Sequence, residues 1–214
     1  MKFAKKDLLL YAVTDRHWLN GRTLYHDVRE ALTGGATLVQ LREKDLDYEA
    51  FKSEALEIQE LCKSFHVPFI INDDVNLALE INADGVHVGQ EDMEAGRVRE
   101  LIGSEKILGV SVRNYEEALL AQSKGADYLG AGAVFHTGSK SDAVDITHET
   151  LREICESVKI PVVAIGGINS GNIHLLSGSG IEGVAVISAI FAADDIRGAA
   201  GNLRALSEQY FSHA

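Results

Sequence analysis

The sequence predicts a single-domain α/β fold, a (β/α)8 TIM barrel of the phosphate-binding type. Three observations predict it. Short β-branched runs recur eight times, segments of helical period lie between them, and glycine and polar residues gather where the runs end. The runs are Leu8–Val13, Thr37–Leu41, Pro68–Ile71, Gly85–Val88, Ile107–Val110, Tyr128–Ala131, Pro161–Ile165 and Gly183–Ile187. Among the intervening segments, Asp47 to Phe65 and Asn114 to Lys124 carry the clearest helical spacing. Asn114 followed by Glu117 has the pattern of a capping box. Asp73 to Ile81 leaves room only for a short helix, and Asp194 to Phe211 closes the chain with one apolar face. Eight units in 214 residues average about 27 residues each, which is tight for a closed barrel but feasible. A doubly wound open sheet has the same alternation and is the structural rival.

Composition narrows the function classes. No linker or low-complexity run divides the 214 residues. A net charge of −12 without a basic stripe excludes nucleic acid as a main partner. The first ten residues hold three lysines but too short an apolar core for a signal peptide, and no window is long enough to span a membrane. Cys62 shares a helical face with Phe51, Ala55, Ile58 and Phe65, and Cys155 one with Leu151 and Ile154. Both read as small core residues of a reducing compartment, so a cytoplasmic location is expected. The partners expected are small molecules, and homo-oligomer formation is left open.

In such a barrel, chemistry belongs at the C-terminal strand ends. Strand period places Gln40, Arg42 and Lys44 on one face above Leu38, with Val39 and Leu41 turned to the helices. Three long polar groups there suit an anionic ligand, a diphosphate above all. Asn72-Asp73-Asp74 and Gly89-Gln90-Glu91-Asp92 put carboxylates at two neighbouring strand ends. They fit a magnesium site, and they fit helix caps equally well. After the sixth run, a long loop carries Thr137, Ser139 and Lys140, suited to an anion. The strongest feature is the pair Gly166-Gly167 and Ile187-Ser188, where backbone N–H groups and a short extra helix are expected to hold a phosphate. A valine at Gly167 is expected to intrude on that phosphate. His87 either faces the mouth or is a satisfied structural histidine.

These segments resemble, in order and over nearly the whole chain, the thiamine phosphate synthase family. The matching pieces are Tyr11-Ala12-Val13-Thr14-Asp15-Arg16, Gln40-Leu41-Arg42-Glu43-Lys44, Ile71-Asn72-Asp73-Asp74, Asp84 through Asp92, Gly109-Val110-Ser111-Val112, Gly166-Gly167-Ile168 and Val186 through Ile190. The resemblance implies that Gln40, Arg42, Lys44, Asn72, Ser111 and Lys140 hold an aminopyrimidine diphosphate. It implies that Asp73 and Asp92 bind one magnesium ion per subunit, and that Thr137, Ser139, Gly167, Ile187 and Ser188 hold a thiazole phosphate. Arg42, Lys44, Ser111 and Lys140 would serve the reaction itself. The sixth loop departs from the family's Pro-Thr-x-Thr-Lys, reading His136-Thr137-Gly138-Ser139-Lys140. Two rivals share the fold: a thiazole tautomerase and a non-catalytic sensor of phosphate ligands. The tautomerase lacks the metal carboxylates and carries a histidine where this chain has Arg113.

Overall fold

The computed structural model describes residues 3–136 and 145–211. Eight parallel strands form it: β1 Leu10–Val13, β2 Leu38–Leu41, β3 Phe69–Asn72, β4 Gly85–Val88, β5 Ile107–Val112, β6 Tyr128–Gly132, β7 Val162–Ile165 and β8 Gly183–Val186. Each pairs with the next, and β8 returns to β1 with Ala185 opposite Tyr11, so the sheet closes. The open-sheet rival falls on that one pairing. Every expected strand is present within two residues. Leu8 belongs instead to a 3-10 turn, Lys5–Leu8, and β5 runs on through Ser111 to Val112.

Helices α1 Leu24–Thr33, α2 Tyr48–Ser64, α3 Val75–Glu80, α4 Ala95–Ile102, α5 Tyr115–Ser123 and α6 His148–Ser157 surround the barrel. A 3-10 turn, Ile173–Leu176, joins β7 to β8, and α7 Ser188–Phe191 and α8 Ile196–Phe211 finish the fold. The first six helices begin alike. Thr23, Asp47, Asp74, Glu94, Asn114 and Thr147 each accept, on the side chain, the N–H three residues on. That bond satisfies a donor the helix leaves free. The capping box at Asn114 is only half formed, because the Glu117 carboxylate takes the N–H of Arg113 instead.

Strand alternation sorts the apolar residues into two cores. Val39, Leu41, Phe69, Ile71, Val86 and Val88 face the helices, whereas Tyr11, Leu38, Ile70, Ile107, Tyr128 and Val163 fill the lumen. Cys62 lies wholly in the outer core, but Phe65, expected beside it, is 38% exposed because it has become the C-cap of α2. Burial raises the Cys155 thiol to about 12, and Cys62 is raised by burial as well, so neither is a ready nucleophile.

Tyr128 fits the lumen only because β5 has a glycine beside it. A Cβ on Gly109 would stand 2.2 Å from Tyr128 Cζ and 2.5 Å from His87 Nδ1. Gly109→Ala therefore overpacks a closed core and is expected to cost about 2 kcal/mol, read as a lower urea midpoint with unchanged slope. Parental stability would mean that the lumen yields to one methyl group.

Candidate active site

The C-terminal strand ends enclose a cavity of about 250 Å³. Arg42 and Lys44 from β2, Asn72 and Asp73 from β3, and Asp92 from the β4 loop line it. Ser111 from β5, Gly167 from the β7 loop, and Ile187 and Ser188 after β8 complete the wall. Gln40 sits lower, 4% exposed, in the lumen beneath this cavity. The structure thus gathers these residues at one mouth. Thr137, Ser139 and Lys140 lie outside the described residues.

The carboxylates separate into two roles that the sequence left mixed. Asp74 caps α3 through the N–H of Leu77, and Glu94, not Asp92, caps α4. Asp73 and Asp92 are therefore left to the mouth. Asp73 Oδ2 accepts from Lys44 Nζ at 2.7 Å and from Asn72 Nδ2 at 2.6 Å. Its carboxyl is held above the ordinary range by burial and by Asp92 against it, although Lys44 pulls the other way. Asp73 also takes φ of 62°, a left-handed conformation uncommon outside glycine. Strain of this kind collects at functional positions. Asp92 Oδ2 accepts the N–H of Gly89 at 2.7 Å, which folds the β4 loop back under its carboxylate.

Glu43 explains how two cations come to stand at one strand end. Its side chain is 2% exposed. Oε1 accepts the N–H groups of Lys44 and Asp45 at 2.8 and 2.7 Å, and Oε2 meets Arg16 Nε at 2.7 Å. Burial alone would raise this carboxyl, but the Asp45 N–H and the Arg16 guanidinium outweigh it and hold it low. Arg16 is fixed in turn by both oxygens of Glu54 on α2. The β2 loop is thereby wound around a buried anion, so Arg42 and Lys44 project into the cavity. Sequence reasoning quoted Glu43 and Arg16 without giving them a role. Nothing local could have done so, since their pairing spans 27 residues.

Gly167 is a correction to the expectation about its side-chain space. It takes φ of 62°, and a Cβ there would meet the carbonyl oxygens of His136 and Phe135 at 2.6 and 2.8 Å. The glycine serves the close approach of the β6 and β7 loops, so a valine would strain backbone rather than simply block a ligand. His87 proves to be both things at once. It lines the cavity, and its ring nitrogens lie 2.9 Å from the Tyr128 hydroxyl and 2.8 Å from Ser111 Oγ. Arg113 also lines the cavity, and among the described residues its guanidinium has no ion pair.

A closed (β/α)8 barrel with cations, paired carboxylates and a glycine-lined cleft at its C-terminal mouth defines a barrel enzyme that handles anionic small molecules. The profile of the family described as thiamine monophosphate synthase matches residues 10–190. The chain is 50% identical over 197 residues to a thiamine-phosphate synthase of Clostridium tetani, covering 92% of this chain and 94% of the relative. It superposes on thiamine phosphate pyrophosphorylase from Pyrococcus furiosus with a TM-score of 0.90 and 44% identity, covering 97% and 99% of the two chains. A geranylgeranylglyceryl phosphate synthase from Thermoplasma acidophilum shares the fold alone, at a TM-score of 0.66 and 14% identity. The chain belongs to the thiamine monophosphate synthase family, and its relatives named thiamine-phosphate synthase are transferases.

Proposed function

We propose that this protein joins an aminopyrimidine diphosphate to a thiazole phosphate, giving thiamine phosphate and diphosphate, or to its carboxylated form, giving the same products and carbon dioxide. The observation that carries the reading is the convergence of Arg42, Lys44, Asn72, Asp73, Asp92 and Ser111 on one cavity, opposite the Gly167 and Ser188 loops. Two anionic substrates need two anion-binding walls; Arg42 and Lys44 after β2 would form one, and the Gly167 and Ser188 loops after β7 and β8 the other. No helix of the described residues is long and apolar enough to cross a membrane.

Among the described residues no cluster of three metal-binding side chains exists. Magnesium does not require one, since it is often held by one or two carboxylates with water and substrate phosphate. Asp73 and Asp92 fit that demand: both have been spared from capping and they lie against each other. When bound there, the ion would supply Lewis-acid charge to the diphosphate oxygens.

The chain's own residues would do the rest. Arg42 and Lys44 would exchange Asp15 and Asp73 for diphosphate oxygens. Lys140 would add its charge from the sixth loop. The methylene C–O bond breaks with its electron pair leaving on diphosphate, and the electron-rich ring supports the cation that remains. The thiazole nitrogen, held by its phosphate at Gly167, Ile187 and Ser188 with Thr137 and Ser139, then forms the new C–N bond. Such catalysis consists of positioning and fixed charge, without an enzyme nucleophile. Incubation of the pure protein with both substrates and magnesium should yield thiamine phosphate and diphosphate in equal amounts, and should yield neither when one substrate is omitted. Conversion of the thiazole alone would assign it to the tautomerases, and binding without product would make it a sensor.

A further inference from the structure

A hydrogen-bonded chain of side chains crosses the lumen beneath the cavity. Gln40 Nε2 donates to the Tyr11 hydroxyl. The Tyr11 and Tyr128 hydroxyls are 2.7 Å apart, the Tyr128 hydroxyl is 2.9 Å from His87 Nδ1, and His87 Nε2 is 2.8 Å from Ser111 Oγ. Tyr11, Tyr128, Gln40 and His87 are all buried, whereas Ser111 at the far end is partly exposed in the cavity. The chain thus links β2, β1, β6, β4 and β5, and delivers its last hydroxyl to the pocket.

Donor counting gives the chain a direction. A phenol has one hydrogen. Because the Tyr11 oxygen takes a hydrogen from the Gln40 amide, its own goes to Tyr128. Tyr128, already an acceptor, places its hydrogen on His87 Nδ1; pointing it elsewhere would bury an unmade bond in the lumen. A neutral imidazole that accepts at Nδ1 carries its hydrogen on Nε2, and that hydrogen meets Ser111 Oγ. The Ser111 hydrogen is then left for the cavity. Burial raises both phenols well above their ordinary range, so neither breaks the chain by ionising.

We infer that this buried chain runs one way, from Gln40 to Ser111, and so makes Ser111 a hydrogen-bond donor toward the ligand. That corner of the site selects an acceptor atom of the pyrimidine diphosphate and disfavours a donor there. Tyr11, Tyr128 and His87 are positioning residues, acting through Ser111. The inference deepens the proposed reaction and rests on it only for the identity of the ligand.

The direction is read without substrate. Two-bond proton–nitrogen correlation spectra of the ¹⁵N-histidine protein, with His87 assigned by its loss in His87→Gln, should show the hydrogen on Nε2 alone. A hydrogen on Nδ1, or on both nitrogens, overturns the inference. Tyr128→Phe removes the hydroxyl that donates to Nδ1 and lets the ring take either tautomer against Ser111. Its His87 signals should move to a mixture of tautomers, and its KM for the pyrimidine diphosphate should rise roughly fivefold while that for the thiazole phosphate holds. An unchanged tautomer in Tyr128→Phe, or an equal rise in both KM values, also overturns it. The two readings fail separately: Nε2–H without condensation sinks the reaction alone, and condensation with Nδ1–H sinks the polarity alone.

Discussion

Asp73→Asn and Asp92→Asn are expected to melt close to the parent temperature while needing far more magnesium for turnover, on the order of 10–100-fold more. The caps of α3 and α4 come from Asp74 and Glu94, so neither substitution touches a helix start. Asparagine is also the non-glycine residue that best tolerates the left-handed backbone at position 73. Its amide oxygen can still accept from Lys44, and at position 92 from the Gly89 N–H. What both variants lose is a negative charge from a place suited to a hard cation. Magnesium titration of the initial rate, with melting as control, checks this. A parental magnesium response in both variants would leave the carboxylates with no role in metal binding.

Glu43→Gln is expected to harm both stability and activity. An amide keeps one acceptor for the Lys44 and Asp45 N–H groups, but it turns an N–H₂ group toward Arg16 Nε. Weakening the bonds of a buried carboxylate whose cation is 31% exposed costs about 2 kcal/mol. For a chain of 214 residues that is a melting temperature lower by roughly 4–8 °C. The fold lowers the Glu43 carboxyl, so its contribution is present above the unfolded value of about 4.3 and is lost as pH falls through the folded one. The stability gap between parent and variant should therefore be full at neutral pH and close below about pH 4. Because Arg42 and Lys44 ride on the loop that Glu43 winds, kcat/KM for the pyrimidine diphosphate should also fall, on the order of 10²-fold. Glu54→Gln, which alters the more exposed partner of Arg16, is the control and should cost under about 1 kcal/mol. Equal melting of the two variants would show that the buried carboxylate does not organise the mouth.

Much of this was legible one residue at a time. The eight runs became the eight strands, and the alternation that put Leu38 and Gln40 on one side and Val39 and Leu41 on the other is the division between lumen and outer core. Arg42, Lys44, Asn72, Asp73, Asp92, Gly167, Ile187 and Ser188 could be placed at the mouth because a parallel barrel sends every strand end to the same rim, whereas Ser111 was named only by the family resemblance. Asp73 against Asp74 was not legible from position, and only the family resemblance chose between them. Both precede the same helix, and only the left-handed turn at Asp73 gives the cap to its neighbour.

The amino-acid sequence by itself determined the order of the elements, their inward faces and the family to which the chain belongs. Those properties are periodic or local, and a one-dimensional pattern records them. Tertiary structure alone decided that β8 closes on β1, that Glu43 answers Arg16, and that Tyr11 meets Tyr128 across 117 residues of chain. Periodicity tells which way a side chain points. Its partner is whatever the closed barrel brings opposite, and in the lumen Gly109 decides that as much as any polar group, by leaving room for Tyr128 and His87.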